Sequence, residues 1–297
     1  MLDIKNHESV NEFPITGVLN TIKAKKGTSA KTNDEYIGLT VELRVDQEVG
    51  GEMTENMVTL NLMANRHKKV NGKPSTELNK LYDRYNEYVN TFIPVSLETD
   101  STPATRITAK ASIKENSFLS KAGTVVNDWR LDTNFLNEAR ASDEEGAQFK
   151  VTGTVVGINP ELDKQGDETG RLFVKICLIG YAGRANVIEF VAKDAVAEHI
   201  ERNWEKGYTV KIIGKVVATH AVIEVKEELG VGDAQISHKT ISKRELLITG
   251  CSEGALDDSE SFDPDDIKVA LDERKAYLAT LTEKPKAAPK TSADYGF

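Results

Sequence analysis

Cysteine is scarce: Cys177 and Cys251 are the only two in 297 residues. They sit in no metal-ligand spacing and make no disulfide framework, so reduced thiols are expected. The five histidines, His7, His67, His199, His220 and His238, are scattered with no cysteine at ligand distance in sequence. No glycine-rich phosphate loop and no nucleophile elbow occurs, so neither catalysis nor a bound metal or cofactor is expected. No apolar run approaches the ~20 residues that a membrane-spanning helix needs. The opening MLDIKNHESV lacks the charged-then-apolar order of a secretion signal, so a cytoplasmic protein with no membrane partner is expected.

Excess positive charge is also missing. Residues 1–135 hold 17 Lys+Arg against 18 Asp+Glu, residues 136–251 hold 15 against 18, and residues 252–297 hold 6 against 11. A uniformly basic nucleic-acid binder is thereby excluded. Local basic patches on a near-neutral body with an acidic appendage remain compatible with these counts.

A doubled phrase organises what is present. FPITGVL at 13–19 returns as FKVTGTV at 149–155, 136 residues later. After the first copy, YIGLTVELRV (36–45) and NMVTLNLMA (56–64) alternate apolar and polar residues, as half-buried strands do. The period then lengthens: Leu78, Leu81, Tyr82, Tyr85 and Val89 fall three and four apart, predicting a helix over 75–89. Strand character resumes in 105–113 and 123–131. After the second copy come strands at 171–180 and 185–192 and a helix at 194–204 with Asp194 as its cap. Strands at 208–217 and 238–250 complete the half.

Two β-β-β-α-β-β units imply a duplicated domain, and 136 residues is too long for a solenoid repeat. Five strands with a helix between the third and fourth is the order of the OB-fold, with Gly17, Gly153 and Gly214 placed where a barrel strand turns a corner. The expectation is a mainly β protein of two tandem OB barrels, 1–135 and 136–251, followed by an acidic tail, 252–297. Pairs of other small barrels or sandwiches share this strand order.

The stretch AEHIERNWEKGYTVKIIGKVV (197–217) resembles the single-stranded DNA-binding protein family, with Ala197, Glu198, Lys206, Gly207, Val210, Ile212 and Gly214 in the family's places. A tandem pair with an acidic tail is similar to the proteins of this kind in some bacteriophages. The resemblance implies a non-enzymatic binder of single-stranded DNA, or of RNA, acting in replication, recombination or repair in a bacterium or infected host cell. A structural or assembly protein using small barrels for protein contacts is the alternative, because fold alone does not assign function.

Single strands offer phosphates and unstacked bases, so a binding groove needs cations interleaved with aromatics. In RLFVKICL, Arg171, Phe173 and Lys175 alternate away from the apolar set; a Phe merely exposed, or covered by the neighbouring domain, is the plainer reading. Lys23, Lys25, Lys26 and Lys31 are expected in the loop after the first strand. Arg66, Lys68 and Lys69 are expected in a loop before the helix, with Tyr36, Arg44 and Phe118 on the same half. Tyr181 and Arg184 occupy the turn GYAGR, and Lys239, Lys243 and Arg244 flank the last strand.

In the tail, Asp263 and Pro264 start a helix expected over about 264–281, with Ile267, Leu271 and Leu278 on one side. Asp257, Asp258, Phe262, Asp263, Asp265, Asp266 and the terminal Phe297 are candidate contacts for replication or recombination proteins. A solubilising tail whose helix docks on its own domain is the other reading. Deleting 252–297 is expected to strengthen DNA binding at low salt or to abolish such a contact.

Overall fold

The computed structural model describes residues 1–30, 32–70, 73–121, 123–227 and 235–282, without the side chains of 220–227 and 235–242. The first half contains β1 (Asn11–Thr28), β2 (Glu35–Val49), β3 (Glu52–Asn65), a small hairpin of β4 (His67–Val70) and β5 (Lys73–Leu78), and α1 (Lys80–Thr91). It ends with β6 (Arg106–Leu119), β7 (Val125–Asp132) and the short β8 (Asn137–Glu138). The second half contains β9 (Gly146–Leu162), β10 (Glu168–Gly180), β11 (Arg184–Ala192), α2 (Asp194–Asn203), β12 (Thr209–Glu227) and β13 (Gln235–Cys251), and α3 (Pro264–Thr282) follows.

Each half closes on itself. In the first the strand circuit is β1-β2-β3-β7-β6 and back to β1, with one parallel strand pair, β3–β7, matching Leu60 with Leu131 and Asn61 with Asp132. In the second the circuit is β9-β10-β11-β13-β12 and back to β9, with the parallel contact Val191 beside Leu247. Both are five-stranded OB barrels, and the expected tandem arrangement is present.

The doubled phrase lies where these circuits close. Gly17 and Gly153 are the corners at which β1 and β9 pass from one neighbouring strand to the next. A Cβ on Gly17 would stand 2.4 Å from the Arg44 carbonyl oxygen, and one on Gly153 would stand 2.6 Å from that of Cys177. Only a residue without a Cβ allows that approach. Gly17→Ala is expected to cost about 1–3 kcal/mol through backbone displacement, measured by urea unfolding.

The phrases also meet each other. β1 and β9 pair antiparallel through Asn11–Val151, Glu12–Lys150, Ile15–Ala147 and Thr16–Gly146. These pairs close symmetrically on Phe13 and Phe149, whose rings stack with centroids 5.5 Å apart. The repeat and the register therefore share one local two-fold axis, and one continuous core spans both barrels.

Several local expectations change. The first helix starts at Lys80 with the Asn79 side chain accepting from the Leu81 amide, and Leu78 is exposed on β5 instead of lying on the helix stripe. Asp194 is not the cap of α2: Lys193 holds that position, and Asp194 is in the first turn at φ +53°. The cations expected in loops stand on strands, Lys23, Lys25 and Lys26 on β1 and Lys68 and Lys69 on β4. A ribbon exposed on both faces has no hydrophobic alternation, so its sequence reads as loop.

Candidate nucleic-acid interface

Outside the first barrel, alternation puts one residue in two on an open sheet face. The β1–β2–β3 register lines up Lys25, Gly38 and Met63, then Lys23, Thr40 and Asn61, then Arg44 and Met57. Tyr36 lies opposite Gly27, where an added Cβ would meet its ring at 2.9–3.1 Å, so the ring covers that glycine. Met63 is 65% exposed beside Gly38, which leaves a flat apolar platform. Among the described residues Lys23, Lys25, Lys26 and Arg44 have no carboxylate within ion-pair distance. Lys31 lies outside the described residues.

This face runs into a cleft of about 420 Å³ at the seam of the barrels, lined by Asn61, Trp129 and Arg130 from the first half and by Val216, Lys243 and Arg244 from the second. The Arg244 guanidinium lies flat on the Trp129 indole, its carbon 3.6 Å from the ring centroid. It donates to the Asp128 carboxylate at 3.3 and 3.4 Å and to the Trp129 carbonyl oxygen. Burial pulls the guanidinium below its ordinary pKa and Asp128 opposes that shift. An arginine remains charged at neutral pH under such a displacement. A planar cation is thus fixed against an indole, and both residues line the cleft.

Trp129 is the residue that sequence reading passes over. It lies on β7 directly across from Glu115 of β6, and nothing local distinguishes it from a core tryptophan. The signal that identifies it, Arg244, is 115 residues away in sequence.

Seam contacts hold the cleft in shape. The Gln47 side chain donates to the Val216 carbonyl at 2.8 Å and accepts from the Ala147 amide at 3.0 Å. Asn56, fully buried, accepts from the Ala218 amide at 2.9 Å. Buried polar groups satisfied across two units fix their relative position.

The second barrel presents a different surface. Arg171 is ion-paired to Glu161 at 3.3 Å and to Glu245, which also holds Lys243 at 3.1 Å; Lys175 faces Glu189 at 3.7 Å. Phe173 is half-buried against Val191, Val217 and Leu247, a cluster that Val49 of the first half also packs against. In the first half Arg66 bonds Glu35 at 2.8 Å, Lys68 pairs with Glu77, and Lys69 is exposed without an ion-pair partner among the described residues. Phe118 is 45% exposed at the end of β6, away from the seam. Tyr181 and Arg184 are exposed beside a second cleft. The Lys239 side chain lies outside the described ones.

The C-terminal segment is docked. Phe262 is buried with Ile267 and Ala270 against Ile4, Cys177 and Ile179, so its ring is held within the chain and is not offered to a partner. Asp263 caps α3, its side chain accepting from the Asp265 amide at 2.9 Å, with Asp265 and Asp266 at the positive end of the helix dipole. Asp257 and Asp258 are exposed, and Phe297 lies outside the described residues. Removing 252–297 would therefore uncover this apolar cluster as well as remove acidic charge. Burial pushes the Cys177 thiol up to about 12, which keeps it protonated and unreactive. Among the described residues no three His, Cys, Asp or Glu side chains converge to hold a metal, and no described helix is long and apolar enough to cross a membrane.

No curated protein matches the chain. Among solved structures, the wild-type single-stranded DNA-binding protein from Thermus aquaticus is similar at TM-score 0.50 and 10% identity, covering 86% of this chain and 98% of that one. A deletion mutant of the same protein is similar at TM-score 0.49 and 13% identity, covering 87% and 98%. At such identity the likeness to the wild-type structure is one of fold. Sequence gives the closer relation: the YorF family model matches residues 9–284, nearly the whole span described above, and the chain belongs to the YorF family.

Proposed function

We propose that this protein binds single-stranded DNA without sequence preference and without catalysis, protecting strands in replication, recombination or repair. The observation that carries the reading is the Arg244–Trp129 stack in the seam cleft, at the end of an open barrel face bearing Lys23, Lys25 and Tyr36. A stacked guanidinium gives a base a flat cationic surface, and the lysines track the backbone. In this reading the barrels divide after β8, whose Asn137 and Glu138 pair with β6 of the first half, and the tail runs from 252. The Arg171–Phe173–Lys175 face serves the seam in this reading, because its ring is packed and Arg171 is held by two carboxylates, where Arg244 meets only Asp128. Among the described candidates, the exposed acids Asp257, Asp258 and Asp265 are available to meet a replication protein.

The test is titration of labelled oligo-dT against duplex DNA at two salt concentrations. A clear, salt-weakened preference for the single strand is expected. Arg244→Ala should weaken binding by about 1–3 kcal/mol, with Arg244→Lys recovering only part, while Phe173→Ala keeps its affinity and loses stability instead. Equal binding of duplex and single strand, or of neither, would overturn the reading and favour an assembly role.

A further inference from the structure

A second cleft, about 1040 Å³, opens on the other side of β7 between β6, the Tyr181–Gly183 turn and α3. Asn116 and Arg130 of the β6–β7 hairpin line both clefts. Two tyrosines stand at its mouth, Tyr181 at 81% exposure and Tyr277 of α3 at 58%. The Tyr181 backbone is placed by a turn with Ala182 at φ +59° and Gly183 at φ +74°. α3 is held by its apolar face and by Arg274, which donates from Nε and Nη2 to Glu115 at 2.6 and 2.7 Å. Both rings are thus presented from anchored elements while remaining in solvent.

Four cations, Lys114, Arg130, Arg184 and Arg274, line this cleft against three carboxylates, Glu8, Glu115 and Glu273. Arg274 is spent on Glu115, and Lys114 and Arg130 share Asp132 at 3.1 and 3.0 Å while about half exposed. Such a surface is too nearly neutral to hold a polyanion by charge alone. It suits an unstacked base on a tyrosine, with Arg130 and Arg184 touching the phosphates between.

We propose that this second cleft continues the nucleic-acid track: a single strand leaving the Arg244–Trp129 stack crosses Arg130 and stacks its following bases on Tyr181 and Tyr277. The inference rests on the single-strand-binding reading above. It gives α3 a direct part in holding the ligand, in place of a role confined to the tail.

The test uses the full chain and a Tyr181→Ala/Tyr277→Ala variant, whose exposed side chains contribute little to folding. Each is titrated with oligo-dT of about 8 nucleotides, within the reach of one barrel, and of about 30 nucleotides. The variant should bind the long oligomer on the order of tenfold or more weakly, occlude fewer nucleotides and bind the short one as before. Its salt dependence should be unchanged, because no phosphate contact is removed. Wild-type affinity and site size for the long oligomer would overturn the proposal and leave the cleft to a protein segment. Equal weakening on both lengths would overturn it too, by placing the tyrosines' effect on the first cleft or on the fold. A wild-type protein that binds neither oligomer would sink the underlying reading itself, an outcome visible without the variant.

Discussion

Truncating Phe149 to alanine is expected to remove about 3–5 kcal/mol of folding stability, among the largest losses available to one side chain here. The ring is 2% exposed and touches both units, with centroids 5.5 Å from Phe13 and 5.3 Å from Phe190. It also fills the space left open by Gly214, where an added Cβ would come within 2.4 Å of it and 2.1 Å of the Leu247 carbonyl oxygen. Flanking strands joined on both sides prevent the cavity from collapsing, so the transfer and cavity contributions add. Urea unfolding should show the midpoint falling for the whole chain, because β1 and β9 share the site. Phe13→Ala should match it, and the double variant should lose less than the two singles together, since the rings contact each other. A loss under about 1 kcal/mol would mean that the barrels do not depend on their junction.

Arg274→Ala is expected to cost about 3 kcal/mol, felt first in α3. Glu115 accepts from Arg274, from Ser117 Oγ at 2.6 Å and from the Val187 amide at 3.1 Å, and the ion pair is only 10–18% exposed. Removing the guanidinium leaves a buried carboxylate with incomplete compensation. Burial alone would raise the Glu115 carboxyl, but the hydrogen bonds from Arg274, Ser117 and Val187 outweigh it and hold the group below the ordinary value of 4.5. A depressed carboxyl stabilises above the unfolded pKa, and that contribution fades as pH falls through the folded one. The protection of α3 amides relative to their intrinsic exchange should therefore fall on acidification below the ordinary carboxylate pKa, and Glu115→Gln should flatten that part of the profile. Titratable neighbours Glu8, Lys114, Arg130, Arg184 and Glu273 line the same cleft, so a profile unchanged by Glu115→Gln would transfer the effect to them and refute the clamp. Trypsin accessibility at Lys268 and Lys275 offers a second reading of the same opening.

Sequence order carried the architecture because barrel strands with one face buried must alternate, and both halves alternate in the same order. The corners were legible as glycines in a repeated phrase. The cationic strands were not, since Lys23, Lys25 and Lys68 sit on ribbons whose faces are both wet and whose pattern is loop-like. The Asp194 cap failed because a side chain suited to capping also tolerates positive φ, and the turn geometry chose the latter.

From residues alone came two OB-type units, their shared starting phrase, the docked-or-free choice for the tail helix, and a short roll of cations and aromatics. Tertiary structure decided which of those side chains are available. It neutralised Arg171, packed Phe173 against Val191, Val217 and Leu247, buried Phe262, and laid Arg244 on a tryptophan from the other barrel. The reason is physical: alternation and turn chemistry are written in neighbouring residues, whereas an ion pair or a stacked cation depends on which distant strand arrives beside it, and that is settled only when both barrels close around one axis.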